Sequence, residues 1–290
     1  MSRSSALFKL HAAALLFGST ALFGHAMSAS PAMIVLGRTA FAVLALGLFA
    51  GYRRRAPWQG LAPRDAARLM AAGVVLALHW VTFFMAVRSG GVALATLGFA
   101  SFPVFVALLE LAVLGERMRR RDGAVLALVL AGLVLITPAF DLRNASTAGL
   151  LWGVLSGAIY AGIAVFNRYL SSAASGTQSC WWQCLAAAIV LAPFGWREAA
   201  ALPASEWLLL ACLGAVCTGL AYTMLIHALE RVKAQTAAIV ICMEPVYAIA
   251  LAWLVFGTAP GAGVLLGGAL VIGAVLLSTL SRTGNSSAGH

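Results

Sequence analysis

Residues 86–115 read AVRSGGVALATLGFASFPVFVALLELAVLG, and residues 228–257 read ALERVKAQTAAIVICMEPVYAIALAWLVFG. Aligned without gaps, both follow one pattern: Ala, eight residues, Ala, seven residues, Pro-Val-aromatic, nine residues, Gly. The matched pairs are Ala86/Ala228, Ala95/Ala237, Pro103/Pro245, Val104/Val246, Phe105/Tyr247 and Gly115/Gly257, at an offset of 142. Apolar segments match by chance easily, so no single pair carries weight. The proline-centred register over 30 residues does, and its offset is close to half of the 290-residue chain.

Composition fixes the solvent. The chain is 62% hydrophobic and 10% charged, with mean hydropathy +0.96. A soluble domain carries about 25% charged residues. Ten apolar runs can be drawn, at 8–26, 32–51, 67–87, 92–114, 123–140, 148–166, 178–195, 205–227, 234–256 and 262–281. Each has about the length that crosses ~30 Å of hydrocarbon as a helix. The short alternating segments of a transmembrane barrel are absent from the sequence. The expected fold class is therefore an all-α integral membrane protein of ten transmembrane helices.

Half of ten is five, an odd number. A second copy of five helices must enter the membrane from the opposite face. The sequence thus predicts two inverted five-helix repeats, residues 1–147 with helices 1–5 and residues 148–290 with helices 6–10. Inverted repeats are the usual build of secondary transporters, whose site lies near the midplane between the halves.

The net charge is +10, and its placement is one-sided. Arg53–Arg55, Arg64, Arg68, Arg117, Arg119–Arg121, Arg168, Arg231 and Lys233 fall on one side with Arg3, Lys9 and Arg282. Arg88, Arg143 and Arg197 fall on the other, and Arg38 lies within helix 2. The positive-inside rule then puts the N and C termini in the cytoplasm. The basic clusters are short and lack interleaved aromatics, so no nucleic-acid partner is expected. Helix 1 has some features of a signal peptide, but its removal would spoil the five-plus-five symmetry, and a retained helix is expected.

Cys180, Cys184, Cys212, Cys217 and Cys242 all fall inside apolar runs with no CxxC pair. Buried helical cysteines are small apolar packers, so neither a disulfide nor a metal is predicted. No GxxxxGK[ST] phosphate loop, HExxH or serine-hydrolase motif occurs. An enzyme is not expected, nor a cofactor.

The paired Ala-x8-Ala-x7-Pro segments, the Gly115-Glu116 pair after helix 4 and the Gly/Ala-rich helices 5 and 10 resemble the drug/metabolite transporter superfamily, in its EamA-type ten-helix branch. The resemblance covers essentially the whole chain. It departs at Gly257-Thr258, where a Gly-Glu pair would match the first half. Within that branch the chain looks most like the bacterial aromatic amino acid exporters. The resemblance implies a secondary transporter that exports amino acids, aromatic or large neutral ones, across the bacterial inner membrane by alternating access. A drug or nucleotide-metabolite exporter on the same scaffold is the alternative. It also implies a small-molecule partner, the lipid bilayer, and a monomer or weak dimer.

Polar and aromatic groups at membrane depth are the candidate substrate contacts. His79 and Trp80 lie in helix 3, and the 142 offset brings Ala221 and Tyr222 to the equivalent place in helix 8. His79 either lines a cavity or is a core histidine bonded to a carbonyl. Phe83 is one turn away. Phe99 and Ser101 precede Pro103, Tyr160 is near the middle of helix 6, and Gln183 is in helix 7. Trp181 and Trp182 fit an interfacial belt. Arg38 is expected to snorkel outward, with a substrate carboxylate as its other option. Gly149, Gly153 and Gly157, like Gly263 and Gly267, have the spacing that lets helix backbones approach closely, for static packing or for rocking.

Pro103 and Pro245 each remove a helix hydrogen bond and free a carbonyl one turn earlier, so both are hinge candidates. Glu244 has no twin, because Phe102 stands at its equivalent position. It recognises a substrate amine, carries a coupling proton, or serves as a structural hydrogen-bond partner.

Overall fold

A computed structural model describes residues 3–114, 120–137, 139, 141, 143–169, 174–229, 232 and 234–283. The Gly115-Glu116 pair and the basic residues Arg117, Arg119, Arg231 and Lys233 lie outside the described residues. The described chain is all-helical: α1 Arg3–Ala26, α2 Pro31–Tyr52, α3 Pro63–Phe99, α4 Phe102–Leu114, α5 Arg120–Ile136, α6 Ala145–Tyr169, α7 Gly176–Ala199, α8 Ala204–Gly214, α9 Ala221–Leu229, α10 Ala234–Ile241, α11 Glu244–Phe256 and α12 Ala262–Thr283. A π-helical turn, Ala215–Leu220, joins α8 to α9.

Seven segments are long and apolar enough to cross a membrane, including Ala204–Leu229 as one span; Phe102–Ala112, Gly123–Ile136 and Ala262–Leu277 are shorter apolar helices. The helix ends have local causes. Ser30 accepts a bond from the Met33 N–H and Pro31 follows it, which starts α2. Ser175 and Gln178 form a capping box at α7. The Asn144 side chain accepts from the N–H groups of Ser146 and Thr147 at the start of α6.

Two expected helices are interrupted, and one of them meets its predecessor at a kink. The runs at 67–87 and 92–114 meet at a kink at Gly91, whose φ of 76° and ψ of 178° are not helical, so α3 comprises two helical segments. A side chain at that φ would be strained. The second of those runs then breaks at Ala100–Ser101, and the run at 234–256 breaks at Cys242–Met243. Both breaks fall just before a proline in the first turn of the following helix, where its missing N–H is tolerated.

The helices pack in an ordered scheme. α3 lies along α6 and α7, α2 along α7 and α8, α1 along α9 and α11, α4 along α6, and α5 along α12. Advancing each partner by five predicted helices exchanges α3–α6 with α1–α9, α4–α6 with α1–α11, and α3–α7 with α2–α8. The α2–α7 and α5–α12 pairs map onto themselves.

The glycine spacing read from the sequence lies in these seams. A Cβ on Gly149 would sit 2.3 Å from the Gly90 backbone nitrogen, and one on Gly153 would sit 2.8 Å from the Ala95 carbonyl oxygen. Gly263 and Gly267 lie equally close to the Leu135 and Gly132 carbonyls of α5. Backbone contact of this kind is how helices associate in lipid, where burial of apolar surface gives no drive.

Candidate functional site

A cavity of about 210 Å³ lies where α1, α2, α3, α6, α7, α9 and the two helix breaks meet. His79, Trp80, Phe83, Phe99, Tyr160, Gln183, Tyr222 and Glu244 all line it. These residues come from both halves of the chain and from separate helices. Ser101 stands apart: it is buried, and its hydroxyl donates to the Gly98 carbonyl at 2.7 Å. It holds the break after Phe99 and does not line the cavity.

The lining follows the sequence repeat. At the 142 offset, Arg38 pairs with Cys180, Leu76 with Thr218, Trp80 with Tyr222, Phe83 with Leu225, and Phe99 with Ile241; both members of every pair line the cavity. Pro245 and Pro103 place the two breaks in register. Each break sits on a glycine of a neighbouring helix. A Cβ on Gly18 would lie 2.8 Å from the Glu244 carbonyl oxygen, and one on Gly157 would lie 2.9 Å from the Phe99 carbonyl oxygen.

Aromatic rings form one wall. The His79 ring centroid lies 5.2 Å from Phe99 and 5.0 Å from Tyr160, and Phe102 stacks on Phe99 at 5.4 Å. His79 is 5% exposed. Its Nδ1 is 3.1 Å from the Ser156 carbonyl oxygen and 2.8 Å from Ser156 Oγ, which donates back to the His79 carbonyl at 3.0 Å. With that hydroxyl donating, Nδ1 carries the proton. Both readings of His79 therefore hold at once: one ring edge is fixed to α6, and the rest of the ring faces the cavity.

Arg38 is the residue whose place the sequence mis-assigned. It does not snorkel; it is 4% exposed and lines the cavity. Its Nε donates to Thr218 Oγ1 at 2.8 Å, and its guanidinium carbon stands 4.1 Å from the Trp80 ring centroid. Its Nη1 is buried with no partner among the described residues. A buried donor left unpaired costs about 1–3 kcal/mol, and more when charged. The π turn explains the Thr218 position, since its hydroxyl also donates to the Leu213 carbonyl five residues back at 3.0 Å. Turns of this type recur at functional sites. The α8 backbone comes close to Arg38 because residue 214 is glycine; a Cβ there would meet the Arg38 carbonyl oxygen at 2.4 Å. One sequence signal was present: Arg38 is the repeat mate of Cys180, one turn from Gln183.

Glu244 opens α11 at the second break and is half-buried. It faces the same cavity as Arg38, and no N···O contact within 4.0 Å joins them.

One end of the bundle is held together by side-chain hydrogen bonds. Ser28 donates to Glu206 Oε1 through its N–H and its hydroxyl, both at 2.8 Å, and Arg88 donates to the Ser28 carbonyl at 2.6 Å. The N–H of Ser30 donates to Glu198 at 2.7 Å, and its hydroxyl bonds the other oxygen of that carboxylate. These contacts bind the α1–α2 loop to the end of α7, the start of α8 and the turn before Gly91. Between them and the cavity lies a cluster that includes Met27, Met33, Phe84, Val87 and Leu213. The cavity extends the other way, to Cys180 near the start of α7 and Leu225 near the end of α9. At that far end, Trp181 and Trp182 donate to the carbonyls of Val43 and Pro57, both at 3.1 Å, so this pair anchors α2 and the loop after it.

A model of the EamA-like transporter family matches this chain twice, at residues 4–137 and 147–280. An uncharacterized transporter of Archaeoglobus fulgidus is 30% identical over 255 residues, which is 84% of this chain and 88% of that protein. The pseudopaline exporter CntI of Pseudomonas aeruginosa is 29% identical over 266 residues, 91% of this chain and 90% of that protein. A solved crystal structure at 21% identity superposes with a TM-score of 0.65, over 97% of this chain and 99% of the other, and is similar in fold.

Proposed function

Since the chain belongs to the EamA-like transporter family of the drug/metabolite transporter superfamily, we propose that it exports amino acids, aromatic or large neutral ones, by alternating access across the bacterial inner membrane. The observation that carries this reading is the cavity itself. It joins one aromatic wall to a guanidinium and a carboxylate that are not paired with each other. A zwitterion with an apolar tail matches all three.

We further propose that residues 1–147 and 148–290 are inverted five-helix repeats of a ten-helix protein with both termini in the cytoplasm. The double family match, the exchange of helix contacts and the paired lining residues support this. Under that orientation the tie at Ser28 and Ser30 is the outer seal, and the cavity extends inward to receive its solute. Pro103 and Pro245 act as hinges, because each helix break already lacks a bond that bending would otherwise cost. Outward opening separates the α1–α2 loop from Glu198 and Glu206. Glu244 receives the solute amine in this scheme, or a coupling proton.

The relation to a pseudopaline exporter widens the substrate question. A solute other than an amino acid is the second reading. Counterflow uptake by purified protein in liposomes separates the two, with labelled amino acids and pseudopaline as alternative cargoes.

A further inference from the structure

The structure assigns Arg38 as the carboxylate anchor of the cavity, which favours solutes that present a carboxylate beside an apolar body. The assignment rests on the export reading only for the direction of travel; the binding chemistry stands on the geometry below.

Arg38 is held rather than mobile. Its guanidinium carbon sits over the Trp80 ring, 4.1 Å from the centroid, and Thr218 accepts from Nε at 2.8 Å. The two contacts together restrain the side chain at its guanidinium carbon and at Nε. The Nη groups remain. Nη1 is buried without a partner among the described residues, and the side chain lines the cavity. A planar fork with a free edge suits a carboxylate, which it can meet with parallel hydrogen bonds.

The rest of the cavity selects which anion is accepted. Glu244 faces the same space, so a dianionic phosphate would meet one cation and one carboxylate. A single carboxylate meets Arg38 with less repulsion, and an ammonium on the same solute turns Glu244 from an opponent into a partner. The two charges also come from different halves of the chain. Their repeat mates, Cys180 and Phe102, are neutral. A zwitterion therefore spans the two halves, whereas a simple carboxylate engages only the first.

The test is thermal unfolding of the full-length purified protein in detergent with three probes: phenylalanine, 3-phenylpropionate (carboxylate only) and phenethylamine (amine only). In the wild type all three should raise Tm in a saturable way, phenylalanine most because it engages both Arg38 and Glu244. Arg38→Gln should abolish the 3-phenylpropionate shift while the phenethylamine shift survives. If Arg38→Gln does not fold, Arg38→Lys is the second variant. It keeps the charge without the fork, and should bind 3-phenylpropionate at least about tenfold more weakly with phenethylamine unchanged. No carboxylate-dependent shift in the wild type, or an equal loss for both single-charge probes, would overturn the assignment. Flat amino acid counterflow beside an Arg38-dependent shift would remove the export reading and uphold the anchor.

Discussion

Arg38 and Glu244 face one cavity from opposite halves of the chain, yet no ion pair within 4.0 Å joins them. Arg38 is instead turned onto Trp80 and Thr218. Removing one partner of a buried charged pair is strongly destabilising. Two charges kept apart across a cavity are free of that constraint, and their neutralisation is available to a bound solute.

Glu244 should be separable from folding for this reason. Glu244→Gln is expected to leave the melting temperature within a few degrees of wild type and to lower amino acid flux at least about tenfold, the cost of one charge-assisted hydrogen bond. Flux measured in proteoliposomes across a pH series decides it. Wild-type flux with a wild-type pH response would leave Glu244 only a structural role.

The helix breaks should tolerate loss of their prolines better than a helix interior would gain from it. Pro103→Ala and Pro245→Ala fall in first helical turns, where proline is already well accommodated. Their stability is expected to change by less than about 1 kcal/mol, measured by chemical unfolding in detergent. Transport should nevertheless slow severalfold if the breaks act as hinges, and an unchanged rate would remove that role.

The glycines beneath the breaks make a sharper stability test. Gly157→Leu drives a side chain against the Phe99 carbonyl, and Gly18→Leu drives one against Glu244. Overpacking of this kind costs about 1–3 kcal/mol or more. Gly273, which has open space around it, serves as the control. Gly273→Ala should be close to neutral in the same melting assay.

The seal at Ser28 and Ser30 predicts an accessibility change. In a background without native cysteines, Phe83→Cys should label slowly with a membrane-impermeant thiol reagent added from the sealed side. Adding Glu198→Ala and Glu206→Ala removes four hydrogen bonds to the α1–α2 loop. Labelling from that side should then accelerate severalfold, and an unchanged rate would show that the loop is not the seal.

Much of this arrangement was legible in the sequence, because hydropathy and a repeat are periodic signals. The Pro103/Pro245 register located both breaks, and the 142 offset pairs residues that prove to share one cavity. What escaped was local. The geometry at Gly91 is one such feature: its kink falls between the two expected helices, but its φ and ψ are not readable from the sequence. Arg38 read as a snorkelling residue because its partner Thr218 is 180 positions away and is presented by a π turn. Ser101 read as a substrate contact because a hydroxyl near a break can bond a solute or its own backbone. Here the Gly98 carbonyl takes it.

Export of a zwitterionic solute through the cavity between Arg38 and Glu244 is open to one decisive measurement. Counterflow uptake of a panel of labelled amino acids by purified protein in liposomes tests it most directly. The account predicts saturable uptake of aromatic or large neutral amino acids, lost in Arg38→Gln and Glu244→Gln. A panel flat across every amino acid would contradict it.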